Sequence, residues 1–168
     1  MLACVDPRSS SIDEGCFDRI ILELANSLAD ANGAELHIVH AWNVEGPDLD
    51  RIRAEITDAA RSGILTKHEA LHRNRVEAIL GNVANLRPDH KLHLPRSAAH
   101  EAITGLVADL SVDLIVMGSV NKTGISGFFI GSAAEAVLST ARCSLFTVKP
   151  KNFRSPVVLE CTPARAAG

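Results

Sequence analysis

The chain has no tyrosine and one tryptophan, and with five phenylalanines its aromatics reach only 4% of 168 residues. So thin a supply argues against a base-stacking platform for nucleic acid. Basic charge is not in excess either, since Lys and Arg number 17 against 20 Asp and Glu, for a net charge of −3. Nothing here builds the basic counter-surface that phosphate backbones require, so no nucleic-acid partner is expected. Cysteine is sparse at positions 4, 16, 143 and 161, and no two are spaced CxxC, so neither a zinc knuckle nor a thioredoxin-like motif is readable. No run approaches 18 apolar residues, and the N-terminus lacks a charged region followed by an apolar one, so no membrane association is expected. Free thiols in a reduced, cytoplasmic setting are the resulting expectation.

What is present is ordinary globular material, 46% hydrophobic and 22% charged, in a length that suits one domain. Leu2 to Val5 is an apolar run stopped by Asp6-Pro7, a strand ending in a turn. Phe17, Ile20, Ile21, Leu24 and Leu28 recur at helical spacing, and Asn32-Gly33 stops that helix. Leu36 to Ala41 reads as a second strand, with His37 and His40 on opposite faces. Past Gly46-Pro47, one long helical stripe is expected through Leu49, Ile52, Ile56, Ala60, Ile64, Leu71 and Ile79, with Gly63 and Gly81 as its weak points. His90 to Leu94 alternates as a short strand. Ala102 to Leu110 is helical behind Ser97 as its cap, and Leu114 to Met117 is a buried central strand. A helix over 133–140 and a last strand over Ser144 to Val148 complete the pattern.

Strands and helices therefore alternate β-α-β-α-β-α-β-α-β, which implies a mostly parallel sheet covered on both faces. Ligands of such α/β sheets settle beyond the carboxyl ends of the strands where strand order reverses. That directs attention to the loops after strands one, two and four. The stretch Gly118 to Ser132 begins where a buried strand ends and closes where a helix begins. Ser132 and Glu135 have capping-box spacing at that helix start. Free N–H groups and the helix dipole favour an anion there, with Lys122, Thr123 and Ser132 as added donors. A crossover loop whose glycines serve only turns reads equally well.

Here the chain resembles the universal stress proteins. Their signature is a glycine, two residues, a glycine, nine residues, then glycine with serine or threonine, after a strand like Leu-Ile-Val-Met. This chain offers Asp113 to Gly118, Lys122 to Ser126 and Gly131-Ser132, with Asn121 where the second glycine falls. Val5-Asp6-Pro7, Ile38-Val39-His40 and Cys143 to Pro150 extend the likeness over residues 1 to 150. The resemblance implies an α/β fold with three layers, a Rossmann-like open parallel five-stranded sheet in the order 3-2-1-4-5, and a bound adenine nucleotide. ATP, AMP or ADP would serve, with Mg2+ as its companion. Position by position, it implies Asp6 at the ribose or adenine, Ala41 flanking the base, and Met117 and Gly118 at the adenine–ribose edge. Ser119, Asn121, Lys122, Gly131 and Ser132 would cradle the phosphates. Asn is among the residues that best tolerate the left-handed region, yet its side chain occupies space a phosphate needs. The resemblance also implies pairing through the last strand, Ser144 to Val148, as a homodimer or with a tandem partner.

The segment Phe153 to Leu159 looks like the end of the E-type, tandem-domain members, and a start directly on a strand would suit the second half of such a tandem. Residues 1–150 form the expected domain and 151–168 an extended tail. The expected role is a nucleotide-binding stress-response module. Its alternatives are a slow ATPase, and a pairing or scaffold domain that has lost its nucleotide, a reading that the greasy Phe128 and Phe129 keep open. No catalytic residue and no resident metal are assigned. His68-Glu69-Ala70-Leu71-His72 matches the zinc-hydrolase pattern HExxH, but it lies far along the chain from the cleft loops. Leu71 is expected on the buried stripe with the two histidines on its shoulders. Neither a P-loop spacing nor a G-x-S-x-G elbow occurs. Trp42 suits either the cleft wall or the core.

Overall fold

The computed structural model describes residues 1–7, 12–54, 57–119 and 132–149, without the side chains of 12–16, 51 and 132. The expectations placed on Asn121, Lys122 and Gly131 therefore lie outside the described residues, as does the tail from 150 onward. Five strands, β1 (Leu2–Cys4), β2 (His37–Val39), β3 (Lys91–His93), β4 (Leu114–Gly118) and β5 (Ser144–Val148), form one parallel sheet. Its order is β3-β2-β1-β4-β5, as the resemblance implied. Strand order reverses beside β1, between its neighbours β2 and β4.

The helices α1 (Ile12–Asn32) and α3 (Asp58–Leu80) cover one face, and α4 (Ala99–Asp109) and α5 (Ser132–Thr140) cover the other. Because strand side chains alternate, β1 sends Ala3 to the first layer and Leu2 and Cys4 to the second. Ile21, Leu22, Ala25 and Ala29 of α1 pack on Ala3, Ile38 and Val116 in the first core. In the second, Ala102, Ile103, Ala134 and Val137 meet Ile115 and Met117. Truncating a fully buried side chain such as Leu22 to Ala would cost about 2–5 kcal/mol.

The helix α1 extends past Phe17 to Leu28 at both ends, and its most buried line is shifted onto two alanines the sequence pattern undervalued. It stops where expected. Gly33 sits at φ 59°, its N–H donating to Asp30 O and that of Ala34 to Ala29 O, the paired closure of a Schellman motif.

Three sequence expectations need correction. The single long helix is two, since the chain breaks after Arg53, the end of α2 (Pro47–Arg53), and restarts at Asp58, capped by the Thr57 hydroxyl. Gly63 does not interrupt α3. Its buried line is His72, Val76 and Leu80, while Leu71 is 45% exposed, so the stripe runs one residue later than the apolar pattern suggested. Counting His72 as polar concealed that line, because a histidine with hydrogen-bond partners is readily buried. Finally, Ala98 rather than Ser97 stands at the N-cap of α4, and the Ser97 hydroxyl donates to Ala98 O instead.

Candidate functional site at the carboxyl ends of the strands

The register of the sheet brings the predicted residues of three separate loops to one level. Cys4 is paired with Val39 on one side and Met117 on the other. Two residues beyond these three stand Asp6, Ala41 and Ser119. They gather at the switch point of the sheet, where an open α/β fold receives its ligand.

Each exit is held by a specific contact. The Asp6 N–H donates to Asp18 Oδ1 at 3.2 Å, and Asp18 is buried on α1. Behind β2, His40 Nδ1 lies 3.3 Å from Val5 O and its Nε2 lies 2.8 Å from His72 Nδ1. A carbonyl only accepts, so His40 donates from Nδ1, and His72 Nδ1 then donates to His40 Nε2. Trp42 stacks on His72 at 5.5 Å between ring centroids and donates its indole N–H to Leu94 O at 2.9 Å. It is buried rather than open to solvent.

On β4, Met117 is buried among the residues of the second core. A side chain at Gly118 would place its Cβ 2.5 Å from Phe17 Cε1 and 3.3 Å from Ile21 Cδ1, so α1 occupies the space this glycine leaves. The N–H of Ser119 donates to Val148 O at 3.1 Å. Its hydroxyl is buried and has no hydrogen-bond partner among the described residues. Such orphans are uncommon in folded proteins, and each costs about 1–3 kcal/mol while unsatisfied. Ser132 opens α5, which begins where the capping-box spacing placed it.

Sequence reasoning missed Asp18 and Lys149 at this edge. An acid on the buried line of α1, three residues before Ile21, was the legible sign of Asp18. Lys149 gave none, because its reach to Ser119 O, at 3.4 Å, depends on the register of β5 against β4.

The HExxH residues do not converge. His68 Nε2 meets Asp48 Oδ2 at 3.0 Å, Glu69 pairs with Arg73, and His72 serves His40. Among the described residues no three His, Cys, Asp or Glu are grouped to hold a metal. His37 is hydrogen-bonded like His40, but on the opposite face. Its Nε2 donates to Glu35 Oε2 at 3.3 Å, and its Nδ1 lies 3.0 Å from His93 Nε2. Burial, then the neighbouring His37 and Lys91, hold the His93 imidazole below its ordinary pKa. The Lys91 hydrogen bond lowers that of Glu35, with His37 helping. Among the described residues no helix is long and apolar enough to cross a membrane.

Known proteins give the same fold. Universal stress protein E of Escherichia coli strain K12 is 28% identical over 166 residues, 95% of this chain and 48% of its own length. The chain thus spans about half the length of the curated relatives it matches. The solved hypothetical protein MJ0577 superposes with a TM-score of 0.67 at 21% identity, over 90% of this chain and 96% of that one. A universal stress protein solved in complex with cAMP does so at 0.51 and 19%, over 89% and 97%. The model of the universal stress protein family matches residues 17–149. With the sheet order and the β4 motif already in place, the chain belongs to the universal stress protein family.

Proposed function

We propose that this chain is a stress-response binding module that holds an adenine nucleotide in the cleft beyond β1 and β4. The observation that carries the reading is the alignment of Asp6, Ala41 and Ser119 at the switch point, with a buried Ser119 hydroxyl lacking a partner among the described residues. Support comes from the family member solved with cAMP, a ligand that shares the adenosine part. In this reading Ala41 flanks the base, Asp6 accepts from the sugar hydroxyls, and Met117 and Gly118 shape the floor. Ser119, Asn121, Lys122, Gly131 and Ser132 receive the phosphates of ATP, AMP or ADP, with Mg2+ as counter-ion. In this reading the module acts by binding its ligand, in the cytoplasm, and no residue is assigned a catalytic role. Residues 1–150 act as the domain and 151–168 as its extension.

The test is release of whatever copurifies with the protein under denaturing conditions, with magnesium present throughout, followed by mass spectrometry. Adenine nucleotide near one per chain is the expected result. Absence of nucleotide, together with no thermal shift on adding millimolar ATP, would overturn the reading. Recovery of ADP or AMP after loading with ATP would instead point to slow hydrolysis.

The same module pairs through β5, with another copy or with a tandem domain. This strand is an edge of the sheet, and its Phe146 is 45% exposed. An apolar edge strand of that kind invites pairing unless it is covered.

A further inference from the structure

Four strands, not three, end at the level of the cleft. Val39, Cys4, Met117 and Thr147 lie side by side across β2, β1, β4 and β5. Two residues further along each come Ala41, Asp6, Ser119 and Lys149. With strands about 4.8 Å apart, this row extends about 14 Å. Its chemistry changes in one direction: a methyl group, a carboxylate, a hydroxyl, then an ammonium.

The last two members are tied together. Lys149 Nζ donates to Ser119 O at 3.4 Å, while the Ser119 N–H donates to Val148 O at 3.1 Å. The lysine is thereby folded back over the end of β4 instead of extending from the end of β5. Ser119 beside it is only 4% exposed, and no described residue satisfies its buried hydroxyl. A buried hydroxyl in that condition points to a polar ligand group, and a neighbouring ammonium makes an anionic one the favoured occupant. Asp6, two strands away, repels an anion and favours hydroxyl donors.

From this row we infer that Lys149, acting with Ser119, is a phosphate-binding residue that makes the cleft select nucleotides over nucleosides. The inference rests on the adenine-nucleotide reading above and adds to it an orientation and a selecting charge. The base lies toward Ala41, the sugar hydroxyls meet Asp6, and the phosphates turn to Lys149. A lysine supplies a point charge with rotatable donors, so it serves one, two or three phosphates without demanding the fixed geometry of a guanidinium.

Titration calorimetry of the full chain with adenosine, AMP and ATP tests the assignment. Wild-type protein is expected to bind ATP and AMP more tightly than adenosine. Lys149→Met should weaken ATP by about tenfold or more, as expected for loss of a charge-assisted contact. It should leave adenosine unchanged and flatten the salt dependence of ATP binding. Lys149→Arg, which keeps the charge, should recover most of the affinity. Ser119→Ala should weaken AMP and ATP without lowering the melting temperature, because it removes a hydroxyl that has no partner among the described residues. Equal loss for adenosine and ATP in Lys149→Met would show that the lysine only props the end of β4, and would overturn the proposal. So would unchanged ATP affinity. Failure of the wild-type chain to bind any of the three would defeat the underlying adenine-nucleotide reading, a result distinguishable because it needs no variant.

Discussion

Gly118 illustrates how a residue of the β4 signature answers to packing. Its missing side chain is replaced by the Phe17 ring and the tip of Ile21, so a methyl group there requires α1 to give way. Gly118→Ala is expected to lower stability by about 1–3 kcal/mol, the usual cost of overpacking, measured as a shifted urea midpoint. Adding Phe17→Leu should recover part of that loss. Independent, additive effects in the double variant would show that the ring is not what the methyl group meets. At the neighbouring signature position, Asn121→Gly is expected to raise ATP affinity, since glycine permits both the left-handed turn and a close backbone approach to phosphate. Unchanged affinity by calorimetry would mean that this position does not limit binding.

Among the elements, α3 carries the plainest lesson. Its HExxH pattern looked like metal chemistry and its apolar residues suggested Leu71 as the buried one. In the fold, His72 is the inward residue because β2 presents a partner for it in His40. That pairing is invisible in sequence, where 32 positions separate the two rings. His72→Ala should cost about 1–3 kcal/mol by leaving His40 Nε2 without its donor and Trp42 without its stacking neighbour. Leu71→Ala should cost far less, and a comparable loss in the two variants, read from denaturation midpoints, would contradict the assigned faces. At the sheet edge, β5 pairs with β4 along its whole length and leaves Phe146 half exposed. If β5 is the pairing surface, Phe146→Lys should turn a dimer into a monomer in light scattering with little change in melting temperature.

For the whole molecule, protonation links several of these contacts. His93 has its pKa depressed in the fold, so between its folded value and the ordinary 6.5 the unfolded chain binds more protons. Stability is therefore complete above about pH 6.5 and declines as pH falls through that range. Glu35 and Asp89, both held low by hydrogen bonds from Lys91 and Arg87, continue the decline at lower pH. The buried Cys4 thiol, raised by desolvation, acts in the opposite sense, so stability also falls once pH exceeds the ordinary thiol value. A dome-shaped pH profile of the urea midpoint is expected, and His93→Gln should flatten its acid limb just below pH 6.5. A limb of unchanged slope would remove His93 from that account.

The sequence by itself determined the alternation of strands and helices, the α/β class and the loops worth searching, because apolar periodicity and turn residues are local signals. The β4 motif narrowed that class to one family and one strand order. Strand ends at Asp6 and Gly118 were legible because each lies beside a chemical break in the chain. Register was not legible. Only the tertiary structure aligned Ala41, Asp6, Ser119 and Lys149 in one row, faced His72 toward His40, and filled the space at Gly118 with Phe17. Those choices depend on which side chains meet across tens to more than a hundred residues of sequence, and packing alone settles such meetings.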